Sequence, residues 1–288
     1  MKTEVRNVCQ GWYEMHFDSP LDMLELRPSP NNEALSRQHM EMGGGGWSKC
    51  KGREEFNAIL RGGAREFVAS TLRKMDTLTV EKPVVESLIN VIKRQRCVAD
   101  SGDELDFAAW RRNDLDRAWS TTRRVVRETK RNRAACLFVN LTVSGDVHAD
   151  SLEWRSAAFA KIVQTLTAAS WATEVVVGST TRETFADSSD RLGISFTAKP
   201  SIMPLSLERL VLQTSAAWLR YCVFEAMTSN DAGLRVDNDY GYPLYSTIPP
   251  YVARMFGRGY KIIQIPGSSL SQGGAQDAIN STLREVQS

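Results

Sequence analysis

The stretch LFVNLTVSGD, Leu137 to Asp146, starts as an unbroken apolar run and ends in Asn140, Thr142, Ser144, Gly145 and Asp146. With Cys136 in front of it, CLFVNLTV has the β-branched, apolar composition of a strand buried on both faces. Immediately after it, SLEWRSAAFAKIVQTLTAAS places Phe159, Ile162, Val163, Leu166 and Ala169 at helical spacing. TEVVVGST reads as a second buried strand and GISFTAK as a candidate third. SLERLVLQTSAAWLRYCVFEAM returns to the helical pattern through Leu207, Leu210, Val211, Thr214, Ala217, Trp218, Tyr221 and Cys222. KIIQIP is then a strand and GGAQDAINSTLREV a closing helix. Alternation of apolar strands with helices predicts an α/β fold over residues 134–288, a mainly parallel sheet covered by helices on both faces.

Upstream the texture differs. Residues 47–133 read as a helical lead-in. REEFNAILRGG closes on Gly62 and Gly63, EFVASTLRKMDTL carries Phe67, Val68, Leu72, Met75 and Leu78, and PVVESLINVIKRQ starts with Pro83 at a favoured first helical position. The segment GDELDFAAWRRNDLDRAWSTTRRVVRETKRNRAA runs from acidic to strongly basic; its apolar residues fit one helical face loosely and leave the arginines outward. Residues 1–46 read as an N-terminal arm, with Pro20, Pro28 and Pro30 and a hinge at Gly43 to Gly46. Trp12, Tyr13 and Phe17 in this arm either contact a partner or pin the arm to its own domain.

A formal charge of +2 excludes a whole-molecule polyelectrolyte, so any nucleic-acid affinity has to come from a local patch. The five cysteines are scattered and never in a C-x-x-C pair, which argues against a zinc site or a disulfide framework and fits a reducing compartment. The opening MKTEVRNVCQGWYEMHF lacks an apolar stretch of signal-peptide length. The most apolar window, Ile162 to Thr180, contains Glu174 and many hydroxyls and is no membrane span. The expectation is a cytoplasmic protein without membrane contact.

In open α/β sheets ligands bind beyond the carboxyl ends of the strands. Asn140, Thr142 and Ser144 stand at such an end, and their oxygens are of the kind that suits magnesium or manganese. The segment resembles the first strand of von Willebrand factor A-like (vWA-like) domains, whose metal-ion-dependent adhesion site begins Asp-x-Ser-x-Ser. Here the matching residues are Asn140, Thr142 and Ser144, with an amide in place of the carboxylate, so the resemblance implies a degenerate site. By order along the chain, Thr180 or Thr181 and Asp187 are candidates for the family's later ligands. Gly102, Leu105 and Asp106 before the strand, and Trp154 and Arg155 in the helix after it, resemble vWA-like proteins of phages and bacteria over residues 47–286. That likeness implies a vWA-like, Rossmann-type fold and a phage or mobile-element origin, and it brings no activity with it.

The three histidines, His16, His39 and His148, form no paired metal motif, and the chain has no G-x-S-x-G elbow, Walker A loop or G-x-G-x-x-G turn. Asp103, Glu104, Asp106, Asp114 and Asp116 follow a helix start rather than a two-metal pattern. The basic run is different. Arg111, Arg112, Arg117, Arg123, Arg124, Arg127, Lys130, Arg131 and Arg133 are interleaved with Trp110 and Trp119. That is either a solvated connector or a surface for weak, nonspecific nucleic-acid binding. The sequence therefore predicts a non-catalytic interaction scaffold that holds another protein, of phage or host, through the vWA-like domain. The alternative is a nucleic-acid-binding accessory protein that uses residues 111–133.

Overall fold

The computed structural model describes residues 6–9, 11–41, 48–81, 93–99, 104–105, 107–112, 114, 119–125, 134–143, 147–184, 190–229, 235–236, 240, 242–256, 260–265 and 270–287. In chain order the elements are β1 (Arg6–Cys9), β2 (Trp12–Phe17), α1 (Pro20–Leu24), α2 (Glu33–Glu41), α3 (Arg53–Gly62), α4 (Arg65–Thr77), β3 (Lys93–Ala99), β4 (Glu104–Leu105), α5 (Phe107–Arg111) and β5 (Trp119–Val125). There follow β6 (Ala134–Asn140), α6 (Ala149–Ala168), β7 (Ala172–Arg182), β8 (Arg191–Lys199), α7 (Leu207–Gln213), α8 (Ala216–Trp218), a π-helical turn Leu219–Val223, α9 (Phe224–Thr228), β9 (Tyr242–Pro243), α10 (Pro250–Phe256), β10 (Lys261–Ile265) and α11 (Gln272–Gln287).

The main sheet runs β1-β2-β8-β7-β6-β10, with β9 paired to β7. β7, β6 and β10 form a parallel block at one end of it. Reading β6, β7, β8 and β10 as first to fourth strand gives the order 3-2-1-4 of a Rossmann-like α/β sheet. Period-two alternation decides which face each residue serves. Leu137 and Val139 of β6 join Val175, Val177, Ile194 and Phe196 under Phe159, Ile162, Val163 and Leu166 of α6. Cys136, Phe138 and Val176 point the other way, onto Val252 and Phe256 of α10. Helices thus cover both faces, as the apolar strands of the sequence require.

Three expectations change. GISFTAK is a strand, but β8 lies antiparallel to β7. The arm is not a separate appendage, because β2 pairs in parallel with β8 and puts Trp12 and Phe17 in the interior. These two aromatics are not available to a partner, and Tyr13 is half-buried. The basic segment is not one long helix. Among its described residues, Phe107–Arg111 is helical and Trp119–Val125 is a strand in a second sheet ordered β3-β5-β4. WSTTRRV is rich in aromatic and β-branched residues, and pairing with distant segments overrides its loose helical spacing. Residues 93–95, read as the end of the PVVESLINVIKRQ helix, likewise open β3; the rest of that segment lies outside the described residues. Among the described residues, no helix is long and apolar enough to cross a membrane.

Candidate functional site

At the carboxyl end of β6 the backbone of Leu141 still bonds to Gly178 O of β7, at 2.7 Å, so Asn140 and Thr142 are held against the second strand. Asn140 Nδ2 donates to Thr180 Oγ1 and to Leu244 O, both at 2.7 Å. Its Oδ1 accepts from Thr142 N at 3.0 Å and from the Thr142 hydroxyl at 2.7 Å. Both donors and both lone pairs of the amide are therefore used. The Thr142 hydroxyl also lies 2.7 Å from Ser179 Oγ and accepts Thr180 N–H at 2.9 Å, while Thr180 Oγ1 donates to Leu244 O at 2.7 Å. Asn140, Thr142, Ser179 and Thr180 are all buried.

The fold brings together Asn140, Thr142 and Thr180. Thr181 bonds instead to Thr184 Oγ1, and Ser144 and Asp187 lie outside the described residues. As arranged, these groups do not fit a divalent cation. They carry no charge, and the Asn140 oxygen that would face the ion is committed to Thr142. Among the described residues, no three His, Cys, Asp or Glu side chains cluster as a metal site. The hub fastens β6, β7 and the loop that follows β9.

Beneath it, α6 contributes Arg155, a fully buried arginine that donates from Nη1 to Leu141 O at 3.2 Å. Burial pulls its pKa down to about 10, so it stays charged at neutral pH. Two residues earlier, Glu153 accepts from Ser70 Oγ, Lys74 Nζ and Lys49 Nζ. Burial pushes that carboxyl up, but the three hydrogen bonds outweigh it and hold it below its usual range. The adjacent cavity between α4, α6 and α7 measures about 30 Å³, room for only a water or two.

The second sheet is where basic charge converges. Its register sets Arg94 opposite Arg124, Gln95 opposite Arg123 and Arg96 opposite Thr122. Alternation then puts Arg94, Arg96 and Arg124 on one face. Like charges directly opposite each other destabilise a strand pair unless an anion joins them. β4 pairs with the start of β5 and leads into α5, where Arg111 and Arg112 are exposed. Of the nine basic residues singled out, Arg111, Arg112, Arg123 and Arg124 are placed in this way; Arg117, Arg127, Lys130, Arg131 and Arg133 lie outside the described residues. Lys93, Arg94 and Arg96 join this set although local spacing assigns the start of KRQR to a helix end, because strand pairing is not visible within the run itself.

A family model described as a domain of unknown function, DUF7192, matches residues 4–272. The chain belongs to the DUF7192 family. No curated protein and no solved structure matches it. The DUF7192 match runs from the approach to β1 to the first residue of α11, and so takes in both sheets and the hub between β6 and β7.

One further buried pair has the residue types of a nucleophile and its base. In the DUF7192 chain His16 Nδ1 lies 2.9 Å from Ser195 Oγ, and the His16 ring packs on Tyr251 at 4.4 Å between centroids. Both His16 and Ser195 are almost entirely buried, so neither is positioned to meet a substrate. His148, at the start of α6, is exposed.

Proposed function

We propose that this chain is a non-catalytic binding protein of the cytoplasm, and that it holds nucleic acid on its second, basic sheet. The vWA-like resemblance fits this reading as a platform: β6 lies between β10 and β7 in the sheet, and Asn140 bonds to Thr180, one of the two candidates for the family's later threonine. The degenerate site then serves as a fastening for loops rather than as an adhesion centre. The observation that carries the proposal is the register of Arg94 against Arg124, with Arg96 on the same face. Three arginine positions on one face of a small sheet concentrate positive charge, which the phosphates of a nucleic acid would balance.

The test is fluorescence anisotropy of the full chain with a labelled oligonucleotide across a salt series. The expected affinity falls with log salt by roughly 0.7 to 0.9 per phosphate contacted. Arg94→Glu with Arg124→Glu should abolish binding, as should Arg111→Glu with Arg112→Glu at the exposed end of α5. Absence of binding by the wild-type chain at low salt overturns the proposal.

The protein-assembly reading, with a phage or host protein as partner, is favoured by a different observation. Ile202 and Met203, between β8 and α7, are 93% and 52% exposed. Single exposed apolar residues are common, and a neighbouring pair this bare is a stronger docking signal. A stoichiometric protein complex that survives nuclease during co-purification and is lost in Ile202→Asp supports this reading; an Ile202→Asp variant that keeps its complex sinks it.

A further inference from the structure

We infer that helix α5 selects unpaired bases, so that the nucleic acid held by this chain is single-stranded, with Phe107 and Trp110 as stacking platforms. The inference rests on the basic-sheet reading and narrows its ligand. Phe107 is 69% exposed and Trp110 53% exposed, whereas Ala109 between them is buried at 3%. Residues three apart on a helix are neighbours on one side. Buried Ala109 holds α5 to the protein, and its carbonyl accepts from both Arg112 N and Asp114 N at 3.1 Å, which closes the helix end firmly. The two rings are therefore presented on an anchored turn.

Exposing two large aromatics side by side is costly in water. The charge around them points to a polyanion rather than to an apolar protein surface: Arg111 and Arg112 follow directly and are exposed, and β4 joins α5 to the strand that carries Arg123 and Arg124. The acids described here are Asp114, which is half-buried, and Glu104, which β4 sets opposite Ser120 at the start of β5. Aromatic faces take any base, but only a base free of its duplex partner can lie on them. Guanidinium groups beside the rings then hold the phosphates of the same strand.

The experiment uses the full chain and three labelled probes: an oligothymidylate and an oligouridylate of about 20 nucleotides, longer than one such surface covers, and a mixed-sequence DNA duplex of matched length. Trp110→Ala should weaken binding of the single strands by about 5- to 150-fold, the usual loss of one stacked base. Duplex binding should change by less than about two-fold, because phosphate contacts alone position a duplex. Trp110→Phe should restore most of the single-strand affinity, and Phe107→Ala should repeat the selective loss. The inference is overturned if both alanine variants bind the single strands like wild type, or lose single strands and duplex equally. In either event a loss of all probes in the Arg94→Glu, Arg124→Glu chain leaves the basic-sheet reading standing. A wild-type chain that binds no probe at low salt removes both.

Discussion

His16 and Ser195 face each other across the β2–β8 pairing, and His16 Nδ1 lies 2.9 Å from Ser195 Oγ in the interior. A strand of the N-terminal arm thereby places a titratable ring inside the molecule. Burial pulls the His16 pKa down to about 4, and Asp18 only partly opposes it. In the unfolded chain the same ring titrates near 6.5. As pH falls below that value the unfolded chain takes up the proton first, so stability drops until the pH reaches about 4. The loss from this one group is of order 3 kcal/mol. Neighbouring Glu14 acts in the opposite sense: burial raises its pKa above the usual value, against the hydrogen bond from Tyr251 N and the charge of Arg254. Urea unfolding between pH 7.5 and pH 4.5, in wild type and His16→Phe, checks the assignment. The variant should show the shallower pH slope; equal slopes would rule His16 out as the cause.

Asn140 is an amide for a structural reason. A carboxylate there would lose both donors and set its charge against Leu244 O and the Thr180 hydroxyl. Asn140→Asp should therefore lower stability by about 1–3 kcal/mol, the usual penalty for a buried group left without its partner. Excess magnesium should leave the unfolding midpoint of the variant unchanged. A magnesium-dependent recovery would show that the hub opens to a cation.

Gly178 has no room for a side chain. A Cβ there would collide with Ile194 O of β8 and come within 3.1 Å of the Phe138 ring. Since the colliding atom is backbone, relief requires β7 and β8 to part. Gly178→Ala should cost about 1–3 kcal/mol, read from the denaturant midpoint. An unchanged midpoint would mean that β8 sits farther from β7 than described.

Phe159 and Phe107 make a contrasting pair. Phe159 is fully buried between α6 and the main sheet, and Phe159→Ala should cost about 3–5 kcal/mol. Exposed Phe107→Ala should stay within about 0.5 kcal/mol of wild type. Thermal unfolding of both variants tests this, and a large loss in Phe107→Ala would assign that ring a packing role instead of a binding one.

The alternation of β6, α6 and β7 was legible in the residues themselves. A helix closes its bonds within a turn, so the spacing of Phe159, Ile162, Val163 and Leu166 declares both the helix and its buried side, and the apolar runs at Leu137 and Val175 can satisfy themselves only inside a sheet. Helices α3, α4 and α11 were legible on the same local grounds. Pairing was not. Nothing within Trp12 to Phe17 says that its partner is Arg191 to Phe196, and nothing within Trp119 to Val125 says that Lys93 to Ala99 lies beside it. A strand's bonds are made to residues far along the chain, so its neighbour, its direction and the company its charges keep are settled only when the whole fold assembles. The same holds for Asn140: its residue type and its place at a strand end could be read in advance, but the carbonyl of Leu244 and the hydroxyl of Thr180, which make it a fastening, arrive from about 100 and 40 residues away.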